Sequence, residues 1–282
     1  MDSVLVLIAA PGSGAISDQV AARFGDVLWL AQGEALETSA SLVALARNSC
    51  AGLPIDISVV PRDNRRKRVL LADMDSTMIQ QECIDELGVV AGVGDHIKSV
   101  TARAMRGEID FEGALKERVA LLKGLHESVI QEVISKRISF MPGGKTLVAT
   151  MKKHGAYTAL VSGGFTAFTS HVAQALGFHE NHANTLLVKD GALTGEVALP
   201  ILGKGAKVES LRRICSVHGL SRDDVLAVGD GANDIPMLQA AGMGVALHAK
   251  PRVQEEAQYV VNHGNLTALL YLQGYAQAEF VA

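Results

Sequence analysis

Two carboxylates two residues apart, in Asp73-Met-Asp75-Ser-Thr77, follow the apolar run Val69–Ala72. A second acidic set, Gly229-Asp230-Gly-Ala-Asn233-Asp234, follows Val225–Val228. Carboxylates gathered in one place cannot all ionise cheaply without a cation. An oxygen-rich set of this kind suits Mg²⁺, which takes a few carboxylates, water and substrate phosphate. Between the two sets lie Ser162-Gly163-Gly164, after Tyr157–Val161, and Lys207, which opens a helix after Gly203-Lys-Gly205. A hydroxyl beside unobstructed backbone N–H groups can cradle an anion at a helix N-terminus, and a lysine adds a point charge for phosphate. Carboxylate, metal, lysine and N–H donors together describe phosphoryl transfer, where catalysis is mostly positioning and charge neutralisation. An aspartate nucleophile that forms an aspartyl-phosphate is then chemically sensible.

Each cluster alone has a plainer explanation. A lone Asp-x-Asp after a strand is most often a cap or turn, and Gly203-Lys204-Gly205 alone is an ordinary loop. An EF-hand fails because Thr77 and Met78 stand where an acidic or amide residue and a glycine are needed. Gly143-Gly144-Lys145-Thr146 resembles the end of a P-loop, but Ser139 replaces its first glycine and Pro142 interrupts it. Gly12-Ser-Gly14 lacks the third glycine of a dinucleotide fingerprint. The four clusters together are distinctive in their order and in their shared placement at a strand end or the start of the next element, the edge where open α/β sheets bind ligands.

The elements that must position these residues follow from length and patterning. At roughly 150 residues per domain, 282 residues make one or two domains. The chain is 48% hydrophobic and 20% charged, which argues against disorder. With 26 basic and 30 acidic side chains, it also lacks the basic surface of a nucleic-acid protein. Cys50, Cys83 and Cys215 are scattered with no paired framework and suit a reducing cytoplasm. Mean hydropathy is +0.22, which raises the question of a membrane span. Met1-Asp2 is acidic where a signal peptide is basic, and Val4–Ala10 breaks at Pro11-Gly12. The stretch Gly155–Phe178 carries no Asp, Glu, Lys or Arg, yet Ser162-Gly163-Gly164 interrupts it, so a strand, a polar turn and a helix are expected there. The chain reads as soluble and cytoplasmic.

Residues 1–62 read as a small α/β block: strand Val4–Ala9, helix Ile16–Phe24, strand Val27–Leu30, helix Ser41–Asn48 and strand Ile55–Val60. A basic run over 63–68 has no hydrophobic anchor and reads as a solvated linker. Val69–Ala72 is wholly apolar, as for a parallel strand covered on both faces. A helical insertion over about 80–140 follows. It includes the amphipathic series Phe111, Leu115, Val119 and Leu122, started by Ile109-Asp110. The strand-then-helix rhythm then resumes to residue 282, predicting an α/β fold with a doubly wound parallel sheet. Without further context, Glu82 is an exposed helix charge, and Arg118 pairs on the surface with Glu112 or Glu117.

In order and spacing the four clusters resemble the signature motifs of the haloacid dehalogenase superfamily and, within it, of the phosphoserine phosphatases. The resemblance covers roughly residues 67–265 and implies a Rossmann-type core with a helical cap. It implies Asp73 as nucleophile and Asp75 as general acid/base. Mg²⁺ would be held by the side chains of Asp73 and Asp230 and the backbone carbonyl of Asp75, with Asp234 and Asn233 close behind. Ser162, Gly163 and Lys207 would hold the phosphoryl group, and Lys207 with the metal would keep Asp73 ionised. Glu82 would take a substrate ammonium and Arg118 its carboxylate, with Met105 and Phe111 lining the pocket. The implied activity is hydrolysis of O-phosphoserine. A phosphatase or phosphotransferase for another small metabolite, and a non-catalytic phospho-ligand-binding protein, stay open alongside it. Residues 1–62 loosely resemble the small amino-acid-binding (ACT-like) regulatory domains attached to some such phosphatases. A structural or dimerising appendage, giving a homodimer, is the alternative.

Overall fold

The computed structural model describes residues 2–106 and 108–282, with the side chains of Met105 and Lys204 outside the description. Its first elements are β1 (Ser3–Ala9), α1 (Asp18–Ala21), β2 (Leu28–Ala31), β3 (Ala35–Ser39), α2 (Val43–Ser49) and β4 (Ile55–Pro61). They build an antiparallel sheet in the order β2-β3-β1-β4. Leu5, Leu7 and Ala9 of β1 cluster with Ile16, Val20, Phe24, Ala46 and Cys50, which covers one face of the sheet with α1 and α2. The strand β3 is absent from the sequence reading, because Glu37 breaks its apolar pattern. Glu37 is nevertheless buried, paired with Arg65 at 2.7 Å.

After β4 come β5 (Val69–Ala72), α3 (Cys83–Val90), α4 (Gly94–Met105), α5 (Phe111–Ala120), α6 (Ser128–Arg137) and α7 (Gly144–Lys153). Then follow β6 (Tyr157–Phe165), α8 (Thr166–Leu176), β7 (Glu180–Asn184) and a hairpin of β8 (Leu186–Lys189) and β9 (Ala192–Val197). The chain closes with α9 (Lys204–His218), β10 (Val225–Gly229), α10 (Ile235–Ala240), β11 (Met243–Leu247), α11 (Pro251–Glu256), β12 (Tyr259–Val261) and α12 (Ala268–Leu272). A six-stranded sheet runs β12-β11-β10-β5-β6-β7. Its pairs β6/β7, β10/β11 and β11/β12 are parallel. The strand order reverses at β5, the doubly wound arrangement expected, with the helical insert directly after this first core strand. Among the described residues, no helix is long and apolar enough to cross a membrane.

Two compact units make up the fold: residues 1–71, 142–158 and 211–282, and residues 72–141 and 159–210. Within the second unit, Asp110 caps α5 by accepting the Gly113 N–H at 2.7 Å, and Leu115, Val119 and Leu122 are buried as the periodicity predicts.

Within the first unit the N-terminal sheet is fastened to the end of the chain. Val4, Val6 and Ile8, on the alternate face of β1, are as buried as their neighbours, and α12 packs on that strand. Asp56 accepts backbone N–H groups from Asn262 at 2.8 Å, His263 at 3.0 Å and Gly264 at 2.7 Å. In the basic run 63–68, Asp63, Asn64, Arg66 and Arg68 are exposed, as a solvated linker would be, and Lys67 is the buried exception. Lys67 is 8% exposed, and its Nζ donates to the carbonyls of Asn64 and Asp223 at 2.6 and 2.7 Å. Arg66 lies 4.1 Å from the Tyr275 ring centroid and pairs with Glu279 at 2.9 Å. Every one of these partners except Asn64 is remote in sequence. Replacing Asp56 with Ala would leave three N–H donors without their carboxylate. An unfolding free energy lower by roughly 2–4 kcal/mol is expected from denaturant titration, with Asp56→Asn less affected.

Candidate active site

The wholly buried strand β5 delivers the chain to Asp73, and the next residues wrap around one carbonyl. Thr77, Met78 and Ile79 all donate backbone N–H groups to the Met74 carbonyl, at 3.2, 2.8 and 3.0 Å. Ser76 takes a left-handed conformation, with φ of 55°, to make this turn. The wrap sends Asp73 and Asp75 to different neighbours. Asp73 forms an ion pair with Lys207 of α9 at 2.7 Å, with both side chains almost fully buried, and it also accepts the Met74 N–H at 2.8 Å. Asp75 instead accepts the N–H of Cys83, the first residue of α3, at 3.0 Å. That places its carboxylate where a helix N-terminus favours negative charge.

The electrostatics of Asp75 differ from those of an ordinary carboxylate. Burial and, second, the neighbouring charge of Glu82 push its pKa up to about 7, against the Cys83 bond and Lys207, which pull it down. A carboxyl titrating near neutrality can both give and take a proton at physiological pH. Glu82 is exposed at the start of α3, as the plain reading of a helix charge has it, and it accepts the Ser76 hydroxyl at 2.7 Å. Burial pushes the Cys83 thiol up, with the Asp75 charge adding to it.

The Ser162-Gly163-Gly164 segment is not the turn expected from sequence but the bulged end of β6, whose register with β7 shifts between Val161 and Phe165. Ser162 is buried, and its Oγ accepts the Gly164 N–H at 2.9 Å. The same Oγ lies 3.5 Å from Asp75 Oδ2. A Cβ on Gly164 would come within 2.7 Å of that Asp75 oxygen, and one on Gly163 within 3.0 Å of the Phe111 ring. A side chain at Gly164 would crowd Asp75, and the Phe111 ring lies against Gly163.

At the end of β10, Asp230 and Asn233 are half-buried and Asp234 is fully buried. Asp234 accepts the Gly231 N–H at 3.0 Å. Asp73, Asp230 and Asp234 are the carboxylates that could hold a metal ion, and hard oxygen donors of this kind fit a small divalent cation. The expected set named Asp73, Asp75 and Asp230, with Asp234 behind them.

In the helical insert Arg118 is half-buried. It donates through Nε to the Ala114 carbonyl at 3.2 Å and through Nη1 to Thr101 at 3.4 Å. The surface pairing with Glu112 or Glu117 does not form, since those residues pair with Lys116 and Arg103. Burial lowers the pKa of the guanidinium, while Asp85, Glu82 and Asp75 raise it. Asp85 and Ser76 were absent from the sequence-based set, although Ser76 sits inside the first motif. Met105 ends α4, and its side chain lies outside the described residues.

Residues 70–239 match the model of the haloacid dehalogenase-like hydrolases. The chain belongs to this family. A phosphoserine phosphatase of Streptomyces coelicolor is 43% identical over 249 residues, covering 88% of this chain and 60% of that protein. This chain thus spans about three fifths of that relative. A solved phospho-aspartyl intermediate analogue of phosphoserine phosphatase superposes with a TM-score of 0.68 at 40% identity, covering 73% of this chain and 98% of the other. An unliganded probable phosphoserine phosphatase from Vibrio cholerae gives a TM-score of 0.79 at 30% identity, with 99% and 88% covered. For this hydrolase-family chain, Glu82→Gln would remove one of the two influences that raise Asp75. Asp75 would then lose its proton at lower pH, and the alkaline limb of a kcat–pH profile is expected to move towards acid. A limb that stays in place would show that Glu82 does not tune Asp75.

Proposed function

We propose that the chain is a Mg²⁺-dependent phosphomonoesterase that hydrolyses O-phosphoserine to serine and phosphate. The observation that carries this reading is a buried Asp73 paired with Lys207 at 2.7 Å, beside an Asp75 that titrates near 7. The similarity to phosphoserine phosphatases supports the substrate assignment.

In the first step an Asp73 oxygen bonds to phosphorus as the bond to the seryl oxygen breaks, and Asp75 donates its proton to the departing seryl oxygen. In the second step Asp75 takes a proton from water as that water attacks phosphorus, which breaks the bond to Asp73 and frees phosphate. Lys207, the Ser162 hydroxyl and the Gly163 N–H hold the phosphoryl oxygens. The side chains of Asp73 and Asp230 and the backbone carbonyl of Asp75 would hold Mg²⁺, with Asp234 and Asn233 beside them. When bound, the ion would supply positive charge that offsets the negative charge on the phosphoryl oxygens.

Arg118 and Glu82 supply the two charges that an amino-acid phosphate needs, one for its carboxylate and one for its ammonium. Met105 and Phe111 line the pocket in this reading. The unpaired, buried Cys50, Cys83 and Cys215 fit a reducing cytoplasm.

Phosphate release by Asp73→Asn should fall by roughly three orders of magnitude or more; turnover like that of the unaltered protein would sink the nucleophile assignment. Arg118→Ala is expected to raise KM for phosphoserine roughly ten- to hundredfold, at 1.5–3 kcal/mol for a charge-assisted bond. KM for p-nitrophenyl phosphate should hardly move, and an equal rise for both esters would refute the carboxylate role.

A further inference from the structure

One side chain reaches the bulge in β6. The register with β7 shifts between Val161 and Phe165. Within that stretch Asn184, the last residue of β7 and 2% exposed, donates its amide N–H to the Gly163 carbonyl at 2.9 Å. The Gly163 carbonyl and the Gly164 N–H belong to the same peptide plane. Asn184 holds one end of that plane, and the Ser162 oxygen accepts from the other end at 2.9 Å. With the plane fixed, the Ser162 oxygen is committed as an acceptor on that side. Its own proton is directed towards Asp75 Oδ2, 3.5 Å away, or towards a phosphoryl oxygen.

The rest of the amide serves a second segment. The Asn184 carbonyl accepts the Leu202 N–H at 2.8 Å, and its amide also faces the Leu202 carbonyl at 3.5 Å. Leu202 lies just before α9, whose first turn carries Lys207. The donors and acceptors opposite Asn184 fix which side-chain atom is nitrogen and which oxygen. A single buried amide therefore ties together the two segments that present Ser162 and Lys207.

We propose that Asn184 is a positioning residue for phosphoryl transfer. It sets the Gly163–Gly164 peptide, and through it the Ser162 hydroxyl, while anchoring the approach to Lys207. The inference rests on the phosphatase reading above. It acts on the phosphoryl group common to every ester, so its loss should not depend on what alcohol the phosphate carries.

The test uses the full chain carrying Asn184→Asp, which keeps the acceptor for Leu202 but loses the donor to Gly163, with Asn184→Ala beside it. For both phosphoserine and p-nitrophenyl phosphate, kcat should fall by a similar factor, roughly ten- to hundredfold. Competitive inhibition by inorganic phosphate should weaken in parallel, at a melting temperature that leaves the protein folded in the assay. In a Ser162→Ala background the Asn184→Asp effect should shrink to about twofold or less, because the two residues act as one unit. A loss confined to phosphoserine, or a full-sized loss in the Ser162→Ala background, would overturn the proposal. If the unaltered protein hydrolyses neither ester, it is the phosphatase reading that fails. If neither variant folds, amide hydrogen exchange of the unaltered protein decides. Saturating inorganic phosphate should slow the Gly164 and Leu202 amides together, and no change at either one counts against Asn184.

Discussion

A carboxylate withdrawn from water must be compensated by charge or hydrogen bonds, or it takes up a proton. The pairing of Asp73 with Lys207 meets that constraint, and much of the catalytic geometry follows from it. Asp73 directly follows a wholly buried strand, and Lys207 stands on the first turn of a helix far along the chain. Bringing them to 2.7 Å needs β5, the segment before α9 and the approach to Lys207 all held in place. The same pairing separates the roles of the two acids of the first motif. Asp73 has a cation against its carboxylate, as the proposed nucleophile needs. Asp75 receives only a weaker pull from Lys207 and is left to burial and to Glu82, which favour its protonated form.

Two carboxylates two residues apart thus acquire opposite chemistry from their surroundings. The turn around the Met74 carbonyl makes this possible, because it points one side chain towards α9 and the other towards the start of α3. The Cys83 N–H bond works against the burial effect on Asp75. An acid/base group serves best with a pKa near the working pH, which suits the role proposed for Asp75.

The N-terminal sheet carries none of the proposed site residues, and it is tied in by charge. Asp56 answers three backbone N–H groups near the end of the chain, and Glu37 answers Arg65. These contacts, and α12 against β1, make the sheet a packed part of the first unit. The basic run 63–68 adds to this, because three of its four cations meet carboxylates, carbonyls or an aromatic ring.

The sequence by itself determined which chemistry was available. Asp73, Asp75, Ser162, Lys207, Asp230 and Asp234 were legible as a phosphoryl-transfer set because each follows a strand or opens a helix in the right order. The apolar run of β5, the Asp110 cap and the stripe Leu115, Val119 and Leu122 were legible because they depend on near neighbours and simple periods. Strand β3 was not, since its Glu37 is stable in the core only because Arg65 lies against it. Nor were the bulge at Ser162–Gly164, the clip formed by Asn184, the pairing of Lys67 or the neutral-range Asp75. Each of those depends on distance and burial among residues remote in the chain, and local pattern carries no record of either. Residue type set what each group could do, and the tertiary structure decided its protonation state, its partner and its aim.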